Sequence, residues 1–206
     1  ELDSGISTVG RVTFAPIATD TQVVHLGAAV NWRDPSRGED SQFRTRPESN
    51  VTEVRLVDTG AIAEVESMRI YGLEAAGVQG PFHAQAEYML ADVSAADDVV
   101  FDGWYVEGGY FLTGESRPYS ADEGRWRRVT PKGTYGAWQM ALRYSSIDLS
   151  DGMIAGGKED NVGVALNWYP TDYVRLSANY IEVVDHARQG FSDEPSIFQL
   201  RAQVAF

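Results

Sequence analysis

The stretch "GVALNWYPTDYVRLSANY" at residues 163–180 carries the pattern from which the rest of the chain can be interpreted. On both sides of its central Tyr-Pro-Thr-Asp turn every second residue is apolar, and mostly polar side chains stand between. Because side chains alternate between the two faces of a strand, the pattern predicts two antiparallel strands with one apolar and one polar face. That apolar face could pack against a protein core or lie in a lipid bilayer.

Similar strand patterns recur along the whole chain, and no segment has a convincing helical period. We predict nine strands, at 8–16, 22–33, 67–79, 82–92, 100–114, 134–147, 159–169, 173–184 and 197–206. Short turns join several of them and long polar connections join others, which is typical of outer-membrane barrels. The predicted fold class is therefore all-β, a transmembrane up-and-down antiparallel β-barrel. A soluble β-sandwich binding module remains the alternative, with the apolar faces in its core.

Composition limits the classes of function. The 206 residues contain no apolar run near the length of a membrane-spanning helix, although spanning strands need only about 9–11 residues. The sequence begins at Glu1 without a leader-like segment, so we expect any signal peptide to have been removed or to lie outside it. No cysteine is present, which excludes disulfides, and a net charge of -13 argues against nucleic acid as a partner.

If the apolar faces lie in lipid, the polar faces line a water-filled lumen. Nearly all the basic residues are arginines, which suit bidentate contact with phosphate or carboxylate. Strand alternation places five of them on the lumen side: Arg11, Arg33, Arg143, Arg175 and Arg201. Glu87 and Glu107 share that side, whereas the phase of strand 67–79 leaves Arg69 and Glu74 unassigned.

Strand directions, counted back from a periplasmic Phe206, constrain the longest connection. Both ends of residues 34–66 fall outside the cell, so the strand-like "VTEVRLVDTG" at 51–60 is not a crossing. We therefore predict that 34–66 is one long extracellular connection that constricts the pore if it folds inward. Nine strands is an odd number, while single-chain bacterial barrels have even numbers, so we expect a larger barrel or a miscount.

Several stretches carry a resemblance to a known family. "WYVEGGYFLTGESRPYS" at 104–120, "GAWQMALRYSSIDLSDG" at 136–152 and "NVGVALNWYPTDYVRLSANY" at 161–180 resemble the phosphate-selective porin O and P family, as do residues 44–60 and 71–88. The resemblance implies a sixteen-stranded trimeric porin of the bacterial outer membrane. Residues 1–206 would then form the C-terminal portion of a single barrel domain, about nine strands of it. The terminal Phe206 resembles the assembly signal of such barrels.

The family resemblance also implies a function. Members of the porin O and P family pass phosphate or polyphosphate along arginines on the barrel wall and on an inward-folded loop. Arg44 and Arg46 match that loop's Arg-x-Arg, and Arg55 lies further along the same segment. The implied partners are small anionic solutes, outer-membrane lipid with lipopolysaccharide, and two further copies in a homotrimer. Alternatively, each arginine pairs with a neighbouring glutamate, and the barrel is general or structural without phosphate selectivity.

The positions of the acidic residues are not those expected of a pore that attracts anions. Many fall in predicted connections, among them Asp97, Asp98, Asp148, Asp151 and Glu159, where they would repel phosphate or share divalent cations with lipopolysaccharide. The basic segment 116–133 is either an anion exit patch or a solvated turn, and we favour the turn. We expect 151–160 to be a surface loop.

No other chemistry is indicated. His25, His83 and His186 have no ligand-like spacing, so we expect neither a metal nor a cofactor. The sequence has no Gly-x-Ser-x-Gly elbow and suggests no Ser-His pair, so we do not expect an enzyme.

Overall fold

The computed structural model describes residues 5–35, 40–188 and 194–205, and Phe206 with its predicted assembly role lies outside them. In these residues no helix is long and apolar enough to cross a membrane. The same residues form thirteen strands: β1 (Ile6–Ala18), β2 (Gln22–Asp34), β3 (Arg44–Thr45), β4 (Val57–Asp58), β5 (Ser67–Gln79), β6 (Phe82–Ser94), β7 (Val99–Phe111), β8 (Tyr119–Ser120), β9 (Arg125–Trp126), β10 (Ala137–Asp151), β11 (Ile154–Thr171), β12 (Val174–Ala187) and β13 (Ser196–Val204).

The nine long strands form one antiparallel sheet in the order β1-β2-β5-β6-β7-β10-β11-β12-β13. Each overlaps one of the nine predicted segments, although β10 and β11 extend past the predicted bounds, and the prediction of an all-β, antiparallel fold is confirmed. The remaining four strands are two-residue pairs in the connections, β3 with β4 and β8 with β9. Within the described residues β1 and β13 each have one unpaired edge, so the sheet is open.

The apolar face of the sheet is its exposed face. Met140, Leu166, Ala178 and Leu200 lie side by side in register on four neighbouring strands, and Leu166 is 40% and Leu200 75% exposed. On the opposite face the polar Gln139 is only 2% exposed. A soluble sheet has the reverse arrangement, with its apolar side chains packed inside. The exposed apolar band is what a strand needs when its outer face lies in hydrocarbon.

Aromatic side chains lie on the apolar face near several strand ends. Trp138 and Trp168 stack at 5.5 Å between ring centroids, where β10 begins and β11 ends. At the other rim the guanidinium of Arg69 lies 5.3 Å from the ring centre of Trp32, so Arg69 faces outward. Trp104 is an exception, because it lies well inside β7.

The predicted surface loop at 151–160 is wrong. β10 and β11 continue as a hairpin to a tight turn at Gly152, whose φ of 56° lies in the left-handed region that glycine adopts easily. The hairpin therefore extends well beyond the apolar band. Asp148 and Glu159 lie within its strands and not in a connection, and Glu159 is buried.

Replacing Leu166 by arginine tests the orientation of the sheet. If the exposed face contacts lipid, Leu166→Arg should lower the free energy of unfolding in bilayers by about 1–3 kcal/mol, because an arginine on the lipid face is costly even near the aromatic rim. Asn179→Arg, on the polar face, should cost far less. Urea titration of the full-length protein in phospholipid vesicles measures both, and equal small costs would contradict a lipid-facing Leu166.

Candidate functional site

Two long connections cover the polar face of the sheet. Residues 40–66 lie between β2 and β5, and residues 112–136 lie between β7 and β10. Each forms side-chain hydrogen bonds with inward-facing residues of the sheet. They are called segment 40–66 and segment 112–136 below. Together they narrow the space in front of the polar face.

Segment 40–66 is held by charged, polar and apolar contacts. The Nε of Arg143 donates to Oε1 of Glu48 at 2.7 Å, and the Ser49 hydroxyl donates to Oε1 of Gln199 at 3.1 Å. Glu48 has a φ of 49°, an uncommon conformation for a residue with a side chain. An apolar cluster anchors the same segment, formed by Val57, Ile62, Val65, Met68, Val93, Val99, Phe101 and Leu149.

Segment 112–136 docks on the other part of the polar face. The indole N–H of Trp126 donates to Oε1 of Gln85, and Nη2 of Arg11 donates to the carbonyl of Gly124 at 2.9 Å. These contacts join residues distant in sequence, so the segment rests on the wall as a defined structure. A small buried cluster fixes its base, made of Phe111, Val129, Ala137 and Tyr169.

A buried carboxylate ties the two ends of segment 112–136 together. Burial alone would raise the pKa of Glu115, but its hydrogen bonds with the Thr113 hydroxyl and the Lys132 backbone N–H hold that pKa below its usual value. Glu115 is therefore ionised at neutral pH and keeps both bonds. The Glu115 carboxylate therefore joins the beginning of segment 112–136, at Thr113, to its end, at Lys132.

Four arginines converge between the two segments. Arg117 comes from segment 112–136, and Arg143, Arg175 and Arg201 come from three strands of the wall. They line one cavity of about 310 Å³, together with Glu107 and several polar side chains. This grouping could bind an anion, because guanidinium groups offer charge and several N–H donors at once.

A second cavity adjoins the first. It has a volume of about 580 Å³ and is lined by Arg44, Arg46 and Arg55 of segment 40–66. Glu48 and Arg143 line both cavities, so the two are neighbours. Within the described chain, seven arginines thus follow one another along the polar face.

The arginines differ in how far carboxylates neutralise them. Arg143 bonds to Glu48 and also lies 3.3 Å from Glu107, with its guanidinium 3.7 Å from the ring centre of Tyr105. Within residues 5–35, 40–188 and 194–205 no carboxylate oxygen lies within 4.0 Å of a nitrogen of Arg175 or Arg201. Arg143 is therefore a structural tie, while its neighbours keep more of their charge for a ligand.

Arg117 is the residue that sequence reasoning missed. The sequence favours a solvated turn at 116–133, and the exposed pair of Arg125 with Glu123 fits that prediction. Arg117 does not, because its side chain is buried against Trp126 and its Nε has no hydrogen-bond partner among the described residues. Burial lowers the pKa of Arg117, yet arginine stays charged at neutral pH. Tyr119, Trp126 and Val129, apolar or aromatic in a basic stretch, were the available signal.

Two predicted pathway residues lie apart from the seven. Arg11 bonds to Glu74 at 2.6 Å, and this contact also settles that Glu74 lies on the polar face. Arg33 lines a different cavity beside Asp40. The predicted set of eight arginines is therefore divided, with six in the adjoining cavities and two outside them. Among the described residues no group of three or more His, Asp or Glu side chains could hold a metal ion.

A lipid-type outer face and an arginine-lined polar face define a class of protein, the β-sheet channels of bacterial outer membranes. The comparison with family models agrees. The chain belongs to the phosphate-selective porin O and P family, whose model matches residues 3–206. That family is one of outer-membrane porins and not of enzymes.

Two relatives show what fraction of a longer protein the chain corresponds to. It is 39% identical to an uncharacterised protein of Caulobacter vibrioides over 180 residues, which cover 83% of this chain and 36% of that protein. It is 30% identical to Porin O of Pseudomonas aeruginosa over 204 residues, which cover 84% of this chain and 46% of Porin O. The chain spans less than half the length of either relative.

Trp126→Ala tests whether segment 112–136 is docked. Losing the indole and its bond to Gln85 should cost about 1–3 kcal/mol of local stability, so trypsin should cleave this arginine-rich segment roughly tenfold faster or more. Tyr135→Ala is the control, since Tyr135 in the same segment is 87% exposed. Unchanged cleavage in Trp126→Ala would show that the indole contributes nothing to docking.

Proposed function

We propose that the chain forms part of a diffusion porin that passes small anionic solutes, phosphate or polyphosphate-like. The observation that carries the proposal is the run of seven arginines along two adjoining cavities on the polar face. The pathway residues are Arg44, Arg46, Arg55, Arg117, Arg143, Arg175 and Arg201. Arg11 and Arg33, expected in this set from the sequence, lie along the same polar face and would act outside its narrow part.

The chemistry of guanidinium explains how an anion moves through such a site. A phosphate that enters must lose part of its water shell, and planar N–H groups replace those hydrogen bonds bidentately. Passage requires that no single site hold the anion too long. Several arginines spaced along two cavities satisfy that condition because the anion exchanges one partner for the next.

Arg143 has a different role in this mechanism. Glu48 and Glu107 hold it from two sides, so it contributes little free charge and instead fixes segment 40–66 in front of the wall. Its neighbours Arg117, Arg175 and Arg201 supply the binding charge. We propose on this basis that segment 34–66 is an extracellular connection that constricts the pore.

The rest of the porin is also a proposal. A sheet with two unpaired edges cannot remain in hydrocarbon, because unpaired backbone groups there cost several kcal/mol each. Further strands must therefore pair with β1 and β13, and the family resemblance supports a sixteen-stranded barrel. Residues 1–206 would be its C-terminal portion, and the assembly a homotrimer surrounded by lipid and lipopolysaccharide.

A general porin without phosphate selectivity is the second candidate, and the acidic residues favour it. Asp97, Asp98 and Asp151 lie at the same end of the sheet as segment 40–66, and the chain carries a net charge of -13. Exposed charges act over a Debye length of about 8–10 Å, so these carboxylates would reduce the local phosphate concentration at that end of the sheet. Phosphate block of chloride current separates the two candidates.

Removing one unpaired arginine should weaken phosphate binding. In single-channel recordings of the full-length porin, Arg117→Ala and Arg175→Ala should each raise the phosphate concentration for half-maximal block of chloride current by about tenfold. A tenfold change corresponds to about 1.4 kcal/mol, close to the lower end of the roughly 1.5–3 kcal/mol that one charge-assisted hydrogen bond contributes. Arg125→Ala, which removes an exposed arginine paired with Glu123, should leave the block unchanged. Equal block in all three variants would exclude the arginine pathway.

Glu107→Gln should act in the opposite direction. The change removes a negative charge that faces the cavity and lies 3.3 Å from Arg143, while Glu48 still holds that arginine. Phosphate should then block at a severalfold lower concentration, and the effect should shrink as ionic strength rises. A weaker phosphate block in Glu107→Gln would mean that Glu107 supports anion binding by orienting Arg143.

A further inference from the structure

Tyr105 lies on the polar face of the sheet between the two connecting segments. It belongs to β7 and is only 9% exposed, and it lines neither arginine cavity. Its hydroxyl contacts two residues of the neighbouring strand β6, and its ring lies against Arg143 of β10. The proposed anion pathway does not use Tyr105, so its buried hydroxyl and its ring require an account of their own.

A series of hydrogen bonds joins segment 112–136 to the Tyr105 hydroxyl. The indole N–H of Trp126 donates to Oε1 of Gln85, and because an indole N–H can only donate, it fixes which end of the amide faces it. Nε2 of Gln85 then donates to the Tyr105 oxygen at 2.8 Å, and the Tyr105 hydroxyl donates to Oε1 of Glu87 at 2.6 Å. All three bonds therefore run in one direction and end on a carboxylate.

Hydrogen bonds that follow one another in a single direction strengthen each other. Each accepted bond polarises the next donor, and the effect is larger where water is excluded. Trp126 also fixes the plane of the Gln85 amide and hence the position of the N–H that reaches Tyr105. Without the indole, the Tyr105 hydroxyl would be held by Glu87 alone among the hydrogen bonds described above.

The ring of Tyr105 extends this series to segment 40–66. The guanidinium carbon of Arg143 lies 3.7 Å from the ring centre, well within the distance at which an aromatic face attracts a cation. Nε of Arg143 in turn donates to Oε1 of Glu48 in segment 40–66 at 2.7 Å. A tyrosine hydroxyl that donates to a carboxylate makes the ring more electron-rich, so the hydrogen bonds of Tyr105 strengthen its contact with Arg143.

The Tyr105 link is the name used below for this line of contacts, formed by Trp126, Gln85, Tyr105, Arg143 and Glu48. We propose that Tyr105 is a positioning residue through which the docking of segment 112–136 and the docking of segment 40–66 support each other. The width of the space between the segments is then set by both at once. Because such coupling is reciprocal, breaking the link at either end loosens the segment at the other end. The proposal does not depend on which solute the pore passes.

Limited trypsin digestion of the full-length porin in detergent tests the coupling, because each segment contains its own cleavage sites. Trp126→Ala should speed cleavage after Arg55 about threefold, although the sequence of segment 40–66 is unchanged. Glu48→Gln should speed cleavage after Arg128, in the unchanged segment 112–136, by a similar factor. Cleavage follows the population of the opened segment when reclosing is faster than cleavage, so each factor measures a shift in docking.

Tyr105→Phe shows whether the effect of Trp126 passes through the Tyr105 hydroxyl. Phenylalanine keeps a ring against Arg143 but removes the hydroxyl and both of its hydrogen bonds. Alone, it should speed cleavage after Arg55 about threefold, and adding Trp126→Ala should have no further effect, since both changes break the same link. A multiplied effect of about ninefold in the double variant would show that the two residues act independently, and would overturn the proposal.

Gln199→Ala is the matched control. Gln199 also holds segment 40–66, through the Ser49 hydroxyl, but it lies on β13, which is not a neighbour of β7 in the sheet. This change leaves the Tyr105 link intact. It should therefore speed cleavage after Arg55 and leave cleavage after Arg128 at the rate of the wild type.

Two further results would contradict the proposal. The first is a Trp126→Ala variant in which cleavage after Arg55 is as slow as in the wild type, because the two segments would then dock independently. The second is a Gln199→Ala variant that loosens segment 112–136 as much as Glu48→Gln does. Any loosening of segment 40–66 would then reach the other segment, without a specific path through Tyr105.

Discussion

Contact between lipid and one face of a single sheet is the constraint on which the rest of the structure depends. It requires that apolar side chains such as Leu142, Leu166 and Leu200 point outward, where a soluble protein would place polar ones. Strand alternation then directs every intervening side chain to the opposite face. Arginine, glutamate and glutamine collect there because the apolar band of the outer face excludes them, although Arg69 lies at its rim. The polar face is thus a consequence of the apolar outer face, and the proposed anion pathway uses the arginines that collect there.

The two connecting segments turn a polar wall into a site. A flat row of wall arginines would be fully hydrated, and exposed charges interact weakly in water. Segment 40–66 covers Arg143 and brings Arg44, Arg46 and Arg55 beside it, and segment 112–136 adds Arg117 from the other side. In the proposed pathway, this partial exclusion of water would strengthen the contact of each arginine with an anion. The acidic side chains at the strand ends are exposed, so salt screens their repulsion of an anion.

The sheet could be predicted from sequence because its signal is local. A period of two residues, visible in 163–180, fixes each strand and the side on which Arg175 lies. Docking of segment 112–136 depends on contacts such as Trp126 with Gln85, 41 residues apart, which no local pattern contains. Arg117 therefore looked like part of a solvated turn. Glu159 was misassigned because glycine-rich 151–160 resembles a loop, although Gly152 only makes the hairpin turn tight.

The central claim is that the charge of the arginines inside governs permeation more than the acid outside. The most direct test is the reversal potential of the full-length porin in a planar bilayer under a tenfold potassium chloride gradient. The account predicts a potential of the sign and size of an anion-selective pore. Cation selectivity would contradict it, because the acidic rim and not the arginine cavities would then control which ions pass.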